Sequence, residues 1–189
     1  MPPPYMPPAY NVTASIASSM FSQPSVAPPV YNRKKSRNFP RQASATSNFR
    51  PVTLSNPAVP FQAAIPGHFS QPRKITIVGN VPSNSDRFNV NLKNTMTGNI
   101  MLHINPRLKE GVLVRNTLTN GSWGSEERQI YSMPFSFGQA FQMEISSVKN
   151  CYRVLVNGLH VFDYTHRIPA SQVDQLEITG DVTLSCVQY

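Results

Sequence analysis

Five consecutive residues, His103-Ile104-Asn105-Pro106-Arg107, alternate between hydrogen-bonding and apolar side chains. Residues two apart share a face of a β-strand, so His103, Asn105 and Arg107 stand in a row while Ile104 and Pro106 turn the other way. Proline cannot donate to a strand ladder and is confined to edges and bulges, which puts the polar row near a strand end, within reach of a ligand. Asn116 follows on the next predicted strand, and Trp123, Glu126 and Arg128 on the one after. There Glu126 and Arg128 share a face and Glu127 points to the other.

This set is poorly equipped for catalysis. Glycoside hydrolysis needs two carboxyl groups flanking the bond, and Glu126 has only Glu127 beside it, which alternation sends away. Two guanidinium groups would hold Glu126 ionised, and an ionised acid is a poor proton donor. No Ser or Cys is placed for a nucleophilic triad, and no ligands cluster for a metal, so neither an enzyme nor a cofactor is expected. Binding remains: an Arg–Glu–Arg lattice with His and Asn beside it offers fixed donors and acceptors to hydroxyl groups. Trp123, the one tryptophan of the chain, offers a flat apolar face to the C–H surface of a sugar. A half-exposed ion-pair network around a core tryptophan fits the same residues equally well.

Short apolar alternations must carry these side chains. They run over Lys74–Val78, Arg87–Leu92, Asn99–Asn105, Val112–Asn116, Ala140–Val148, Tyr152–Val156, His160–Tyr164, Gln175–Ile178 and Val182–Gln188. Gly79-Asn80, Thr97-Gly98, Asn120-Gly121, Asn157-Gly158 and Gly180-Asp181 stand between them as turn signals. Strands at close spacing with no helical period longer than a turn predict an all-β sandwich or barrel. Asn157-Gly158 is the sharpest signal, because a two-residue hairpin needs positive φ at both positions. Pro169–Gln172 is expected to form one helical turn.

The chain has 189 residues, 40% hydrophobic and 14% charged, which is room for one ordinary domain. Residues 1–57 hold eleven of the 18 prolines, six Lys/Arg and no acid, while all nine glycines lie from Gly67 onward. The net charge of +8 thus sits mostly in this N-terminal stretch. Such a composition cannot bury enough apolar surface to offset about 1–2 kcal/mol of ordering cost per residue, so 1–57 is expected to be a disordered, Pro-rich basic tail or linker. Arg33-Lys34-Lys35-Ser36-Arg37 resembles a nucleic-acid or localisation patch, and gives an alternative reading in which the tail acts and the sandwich is a scaffold. Aromatic residues from Tyr5 to Phe49, set among prolines and arginines, favour weak self-association. Cys151 and Cys186 are too few for a disulfide scaffold and lack zinc spacing. With no basic n-region, no uninterrupted apolar run and no transmembrane segment, the chain is expected to be made in the reducing cytosol.

The pattern His103-x-Asn105-Pro106-Arg107, Val114-x-Asn116, Trp123-Gly124-x-Glu126-x-Arg128 resembles the carbohydrate-recognition signature of the galectins. Val59-Pro60-Phe61, Ile65-Pro66-Gly67, Met133-Pro134-Phe135, Phe162–Arg167 and Gly180–Ser185 are similar to galectin framework segments. The likeness covers residues 58–189 and implies a jelly-roll sandwich of two antiparallel sheets with a β-galactoside groove on its concave face. It also implies that His103, Asn105 and Arg107 bind the axial O4 of galactose, that Asn116 and Glu126 bind O6, and that Trp123 stacks on the ring. Glu126, Arg107 and Arg128 would engage O3 of the next sugar. Partners would be β-galactoside-bearing glycoproteins and glycolipids, reached by signal-independent secretion to the extracellular space. The Leu108–Gly111 connection is shorter than in several galectins, so any contact made by their longer loop is not expected here.

Overall fold

The computed structural model describes residues 50–69 and 73–189. In chain order the strands are β1 (Thr53–Ser55), β2 (Phe61–Ala64), β3 (Lys74–Asn80), β4 (Phe88–Lys93), β5 (Ile100–Arg107), β6 (Val112–Thr119) and β7 (Ser122–Trp123). They continue as β8 (Ala140–Val148), β9 (Cys151–Val156), β10 (Leu159–Thr165), β11 (Gln175–Gly180) and β12 (Thr183–Gln188). One antiparallel sheet has the order β1-β12-β3-β8-β9-β10 and the other β2-β11-β4-β5-β6-β7. A single 3₁₀ turn, Ala170–Gln172, falls where one helical turn is expected. The all-β sandwich of two antiparallel sheets is therefore the fold.

Period-two patterning drives it. Ile75 and Ile77 of β3, Met143 and Ile145 of β8 and Val154 of β9 meet Val90 and Leu92 of β4, Leu102 and Ile104 of β5, and Leu176 and Ile178 of β11 in one core cluster. Each such side chain contributes about 1.5–3 kcal/mol when fully buried. Between β9 and β10, Asn157 and Gly158 both have positive φ, 52° and 78°, as the hairpin requires. Asn120 and Gly121 do the same between β6 and β7, with φ of 50° and 77°.

Three details depart from the sequence expectation. Gly79-Asn80 is not a turn but the end of β3. Glycine is needed there because a Cβ on Gly79 would lie 2.4 Å from the Thr183 carbonyl oxygen, beside the irregularity in β12 between Leu184 and Cys186. The second departure is β1, which lies inside the stretch assigned to the tail and pairs Thr53 with Gln188 and Ser55 with Cys186. Its three side chains are all exposed, so it is held by main-chain bonds, with Val52 and Tyr189 exchanging both of theirs at 2.8 and 3.0 Å. An edge strand of this kind leaves no apolar periodicity to read. The remainder of the predicted tail, residues 1–49 with the Arg33–Arg37 patch, lies outside the described residues.

The third departure concerns the site. Glu126 and Arg128 do not sit on a regular strand, since β7 ends at Trp123 and beyond it only Arg115 and Glu127 form an isolated bridge.

Candidate functional site

β5 is an interior strand flanked by β4 and β6, so both edges of the polar row are paired. Pro106 is its penultimate residue, at the strand end as its missing donor demands. Ile104 is fully buried in the core, and His103 and Arg107 emerge on the opposite face, as alternation requires. Directly opposite His103 on β6 stands Asn116.

A cavity of about 290 Å³ opens on this face, lined by His103, Arg107, Asn116, Trp123, Gly124 and Glu126. It is at the small end of ligand sites. Five of the seven predicted residues line it. The other two, Asn105 and Arg128, do not line it but each bonds a residue that does. Asn105 is buried, donates from Nδ2 to the Phe88 carbonyl at 2.9 Å and accepts from Arg107 Nε at 2.8 Å. Arg128 binds Glu126 Oε2 through Nε at 2.7 Å and through Nη2 as well. Trp123 is 51% exposed, which rules out the core-tryptophan reading. Its ring centroid lies 4.8 Å from that of His103, so the indole walls the cavity.

Charge in the cavity is balanced by geometry. Arg107 Nη2 reaches Glu126 Oε1 at 3.3 Å. The hydrogen bonds of Arg128, opposed by desolvation and joined by the charges of Arg128 and Arg107, hold the Glu126 carboxyl below its ordinary range. His103 is pushed down to about 4 by burial and by the Arg107 charge, against the pull of Glu126, so the ring is neutral at neutral pH. Its Nδ1 lies 2.7 Å from Asn91 Oδ1. Asn91 Nδ2 donates to Glu177 Oε1 at 2.9 Å, which leaves Oδ1 as the acceptor and makes His103 Nδ1 the donor. Nε2 therefore carries a lone pair.

Asn116 is similarly committed. Its Nδ2 donates to Gly124 O at 2.8 Å, and its Oδ1 accepts from Thr117 N at 2.8 Å and Arg167 Nη1 at 3.2 Å. The segment carrying Glu126 is pinned to β6. Gly124 N bonds Thr117 O at 2.9 Å, and Arg115 and Glu127 exchange main-chain bonds at 2.9 and 2.8 Å. The buried Arg115 guanidinium, 4.7 Å over the Phe162 ring, donates to Gln129 O at 2.9 Å. Glu127 turns away from the cavity to pair with Arg167 at 2.9 Å, as alternation predicts.

Sequence reasoning gave no role in the site to Gly124, Asn91, Glu177, Arg115 or Arg167. A Cβ on Gly124 would lie 2.8 Å from Arg167 Nη1, a close approach visible only in three dimensions. Asn91 and Glu177 had a faint signal, since each falls at an outward position of its strand among other polar residues. It also passed over a carboxylate that shares Arg107 with Glu126: Glu110, 3.5 Å from Arg107 Nη1 and 3.3 Å from Arg87 Nη2. Glu110 does not line the cavity.

The donor set is a neutral-ligand set: one His acceptor, one ionised acid, and N–H groups of Arg107 and Asn116 converging on a small space beside an indole. Residues 60–189 match the galactoside-binding lectin family. The chain belongs to that family. Human galectin-4 is 48% identical over 134 residues, covering 70% of this chain and 42% of its own length. Rat galectin-8 is 38% identical over 128 residues, covering 67% of this chain and 40% of its own. The chain thus spans about two-fifths of the length of these curated relatives. The crystal structure of the Caenorhabditis elegans galectin LEC-6 superposes with a TM-score of 0.66 at 31% identity, over 71% of this chain and 93% of that one. Sheep galectin-11 in complex with glycerol gives 0.62 at 26% identity, over 69% and 97%.

These relatives are lectins rather than enzymes. Among the described residues no three His, Cys, Asp or Glu are grouped to hold a metal ion, and no helix is long and apolar enough to cross a membrane.

Proposed function

We propose that this galectin-family chain binds β-galactoside glycans without catalysis, in the cavity between β5, β6 and the Trp123–Glu126 segment. The observation that carries the reading is the polarity of the lining. A hydroxyl bracketed by His103 and Arg107 donates to the His103 Nε2 lone pair and accepts from the guanidinium, and both protein groups are left unpaired when that hydroxyl is elsewhere. An axial O4 meets this demand where an equatorial one does not. A site built to hydrogen-bond one hydroxyl rejects analogues that lack it by large factors. Trp123 takes the C–H face of the same ring, Asn116 and Glu126 take O6, and Arg107, Glu126 and Arg128 take O3 of the following sugar.

The recognition domain is read as the two sheets together, with the residues before them as a tail or linker. Partners are galactose-bearing glycoproteins and glycolipids, met outside the cell after signal-independent export from the cytosol.

Lactose and cellobiose differ at the non-reducing sugar only in the configuration of the hydroxyl at C4. Titrating both into the full chain, with Trp123 fluorescence as the reporter, tests the reading. Lactose is expected to bind and shift the emission; equal competition by cellobiose overturns the O4 assignment.

A further inference from the structure

The outer face of the second sheet carries an unbroken row of polar residues, each directly opposite the next. Asn116 on β6 faces His103 on β5, His103 faces Asn91 on β4, Asn91 faces Glu177 on β11, and Glu177 faces Gln62 on β2. From His103 to Gln62 every neighbouring pair is hydrogen bonded, and every bond has a forced direction. Glu177 Oε2 accepts from Lys93 Nζ at 2.9 Å and from Gln62 Nε2 at 2.8 Å, while Oε1 accepts from Asn91 Nδ2 at 2.9 Å. A carboxylate only accepts, so Asn91 must offer it the amide N–H and turn its carbonyl to His103. Asn91 is buried, and turned over it would set its carbonyl oxygen against the Glu177 carboxylate, so the carboxylate fixes its orientation.

We propose that Asn91 and Glu177 are positioning residues that set the hydrogen-bonding polarity of His103, so that Nε2 meets the ligand as an acceptor and selects a hydroxyl that can donate. They line no part of the cavity and act only through the ring. The Glu177 carboxyl is pushed up by its own burial but held below its usual value by the Asn91, Lys93 and Gln62 bonds and the Lys93 charge, which keeps it an acceptor across the neutral range. The affinity consequence rests on the galactoside reading; the polarity itself does not.

Glu177→Gln tests it without touching the cavity. A carboxamide in this place faces Lys93 and Gln62, both donors, with its oxygen, and so presents its N–H groups to Asn91. Asn91 then turns over, offers N–H to His103 Nδ1, and the proton moves to Nε2. Two-bond ¹H–¹⁵N correlation spectra of the full chain, with His103 assigned by a His103→Gln variant, read this directly. The wild type is expected to show Nδ1–H, and a folded Glu177→Gln to show Nε2–H with a lactose affinity at least tenfold lower. A folded Glu177→Gln that keeps Nδ1–H, or a wild type with Nε2–H, overturns the proposal. Should that variant fail to fold, Asn91→Ala removes the acceptor from Nδ1 and must populate Nε2–H; a ring still wholly Nδ1–H overturns the proposal equally. If the proton moves as expected but the wild type ignores lactose, the polarity assignment stands and the galactoside reading falls.

Discussion

Arg167 Nη1, just past the end of β10, donates to Asn116 Oδ1 on β6 at 3.2 Å, joining the two sheets behind the cavity. The same guanidinium donates from Nη2 to Ser125 O at 2.8 Å and lies 4.9 Å over the Tyr164 ring. One side chain therefore orients a lining amide and holds the segment that carries Glu126.

Gly124 exists to let that happen. Alanine there would place a Cβ 2.8 Å from Arg167 Nη1 and 3.3 Å from Asn116 Oδ1. The first obstacle is the mobile end of a long side chain, so Gly124→Ala should fold with a small loss of melting temperature. Arg167 must swing off Asn116 to admit it, and lactose affinity is expected to fall about tenfold, the worth of one charge-assisted bond. Calorimetric titration with a melting curve checks both parts. An unchanged affinity would remove Arg167 from the account of the site.

Arg107→Ala and Glu126→Ala should each abolish measurable lactose binding. Truncating one partner of a hydrogen-bonded charge pair in an interface costs about 2–5 kcal/mol, much of it from the partner left unpaired. Stability should suffer less. Glu126 retains Arg128 when Arg107 is removed, and the ion pair is partly open to water, at 19% and 34% side-chain exposure, so its screened contribution to folding is about 1 kcal/mol or less. A variant that unfolds instead would mark the lattice as structural rather than as a ligand site.

Much of this was legible beforehand, and the divide follows physical range. The strand set and the His103–Arg107 row depend on period-two alternation, a property of neighbours in sequence. Asn157-Gly158 was legible for the same reason, since its positive φ values are a local demand. Asn91, Glu177 and Arg167 were not, because their value lies in partners 12, 86 and 51 positions away. Glu126 was found by type but misassigned to a strand: the segment after Trp123 is extended by bonds to Arg115 and Arg167, not by a ladder. β1 was hidden because its side chains bury nothing.

The pH profile of binding should be flat through neutrality and fail in acid. His103 is faced by Arg107 on its own strand, Asn91 from β4, Trp123 from β7 and Glu126 from the following segment, and it titrates at about 4. Below that value Nε2 gains a proton, loses its lone pair and adds positive charge beside Arg107. Protonation of Glu126, whose range is also depressed, removes an acceptor in the same direction. Lactose affinity is therefore expected to be constant from about pH 8 to pH 5.5 and to fall as pH drops through about 4. Folding stability carries the same sign: the unfolded ring takes up its proton near its ordinary value of 6.5 and the folded one only near 4, so stability declines as pH falls between them. Binding lost with a midpoint near 6.5 would contradict a buried, neutral His103.

Two glycines with positive φ should answer alanine differently. Gly121 closes the turn that presents Trp123, has φ 77°, and has open space where a Cβ would go. Only backbone strain opposes Gly121→Ala, and the cost should be about 1–2 kcal/mol. Asn120 N is also anchored to Asn99 Oδ1 at 2.9 Å, so the turn should keep its shape and lactose affinity should hardly change. Gly180, at φ 94° as the last residue of β11, faces main chain instead: a Cβ would lie 2.7 Å from Arg87 O and 2.8 Å from Phe88 Cα. Neither atom can step aside without moving β4, whose Phe88 carbonyl holds Asn105 and through it Arg107. Gly180→Ala should therefore lower the melting temperature well beyond Gly121→Ala, and in whatever fraction folds it should weaken lactose binding through that chain of contacts. Melting curves and lactose titrations on both variants decide it; equal melting temperatures would mean that β4 yields more readily than its packing implies.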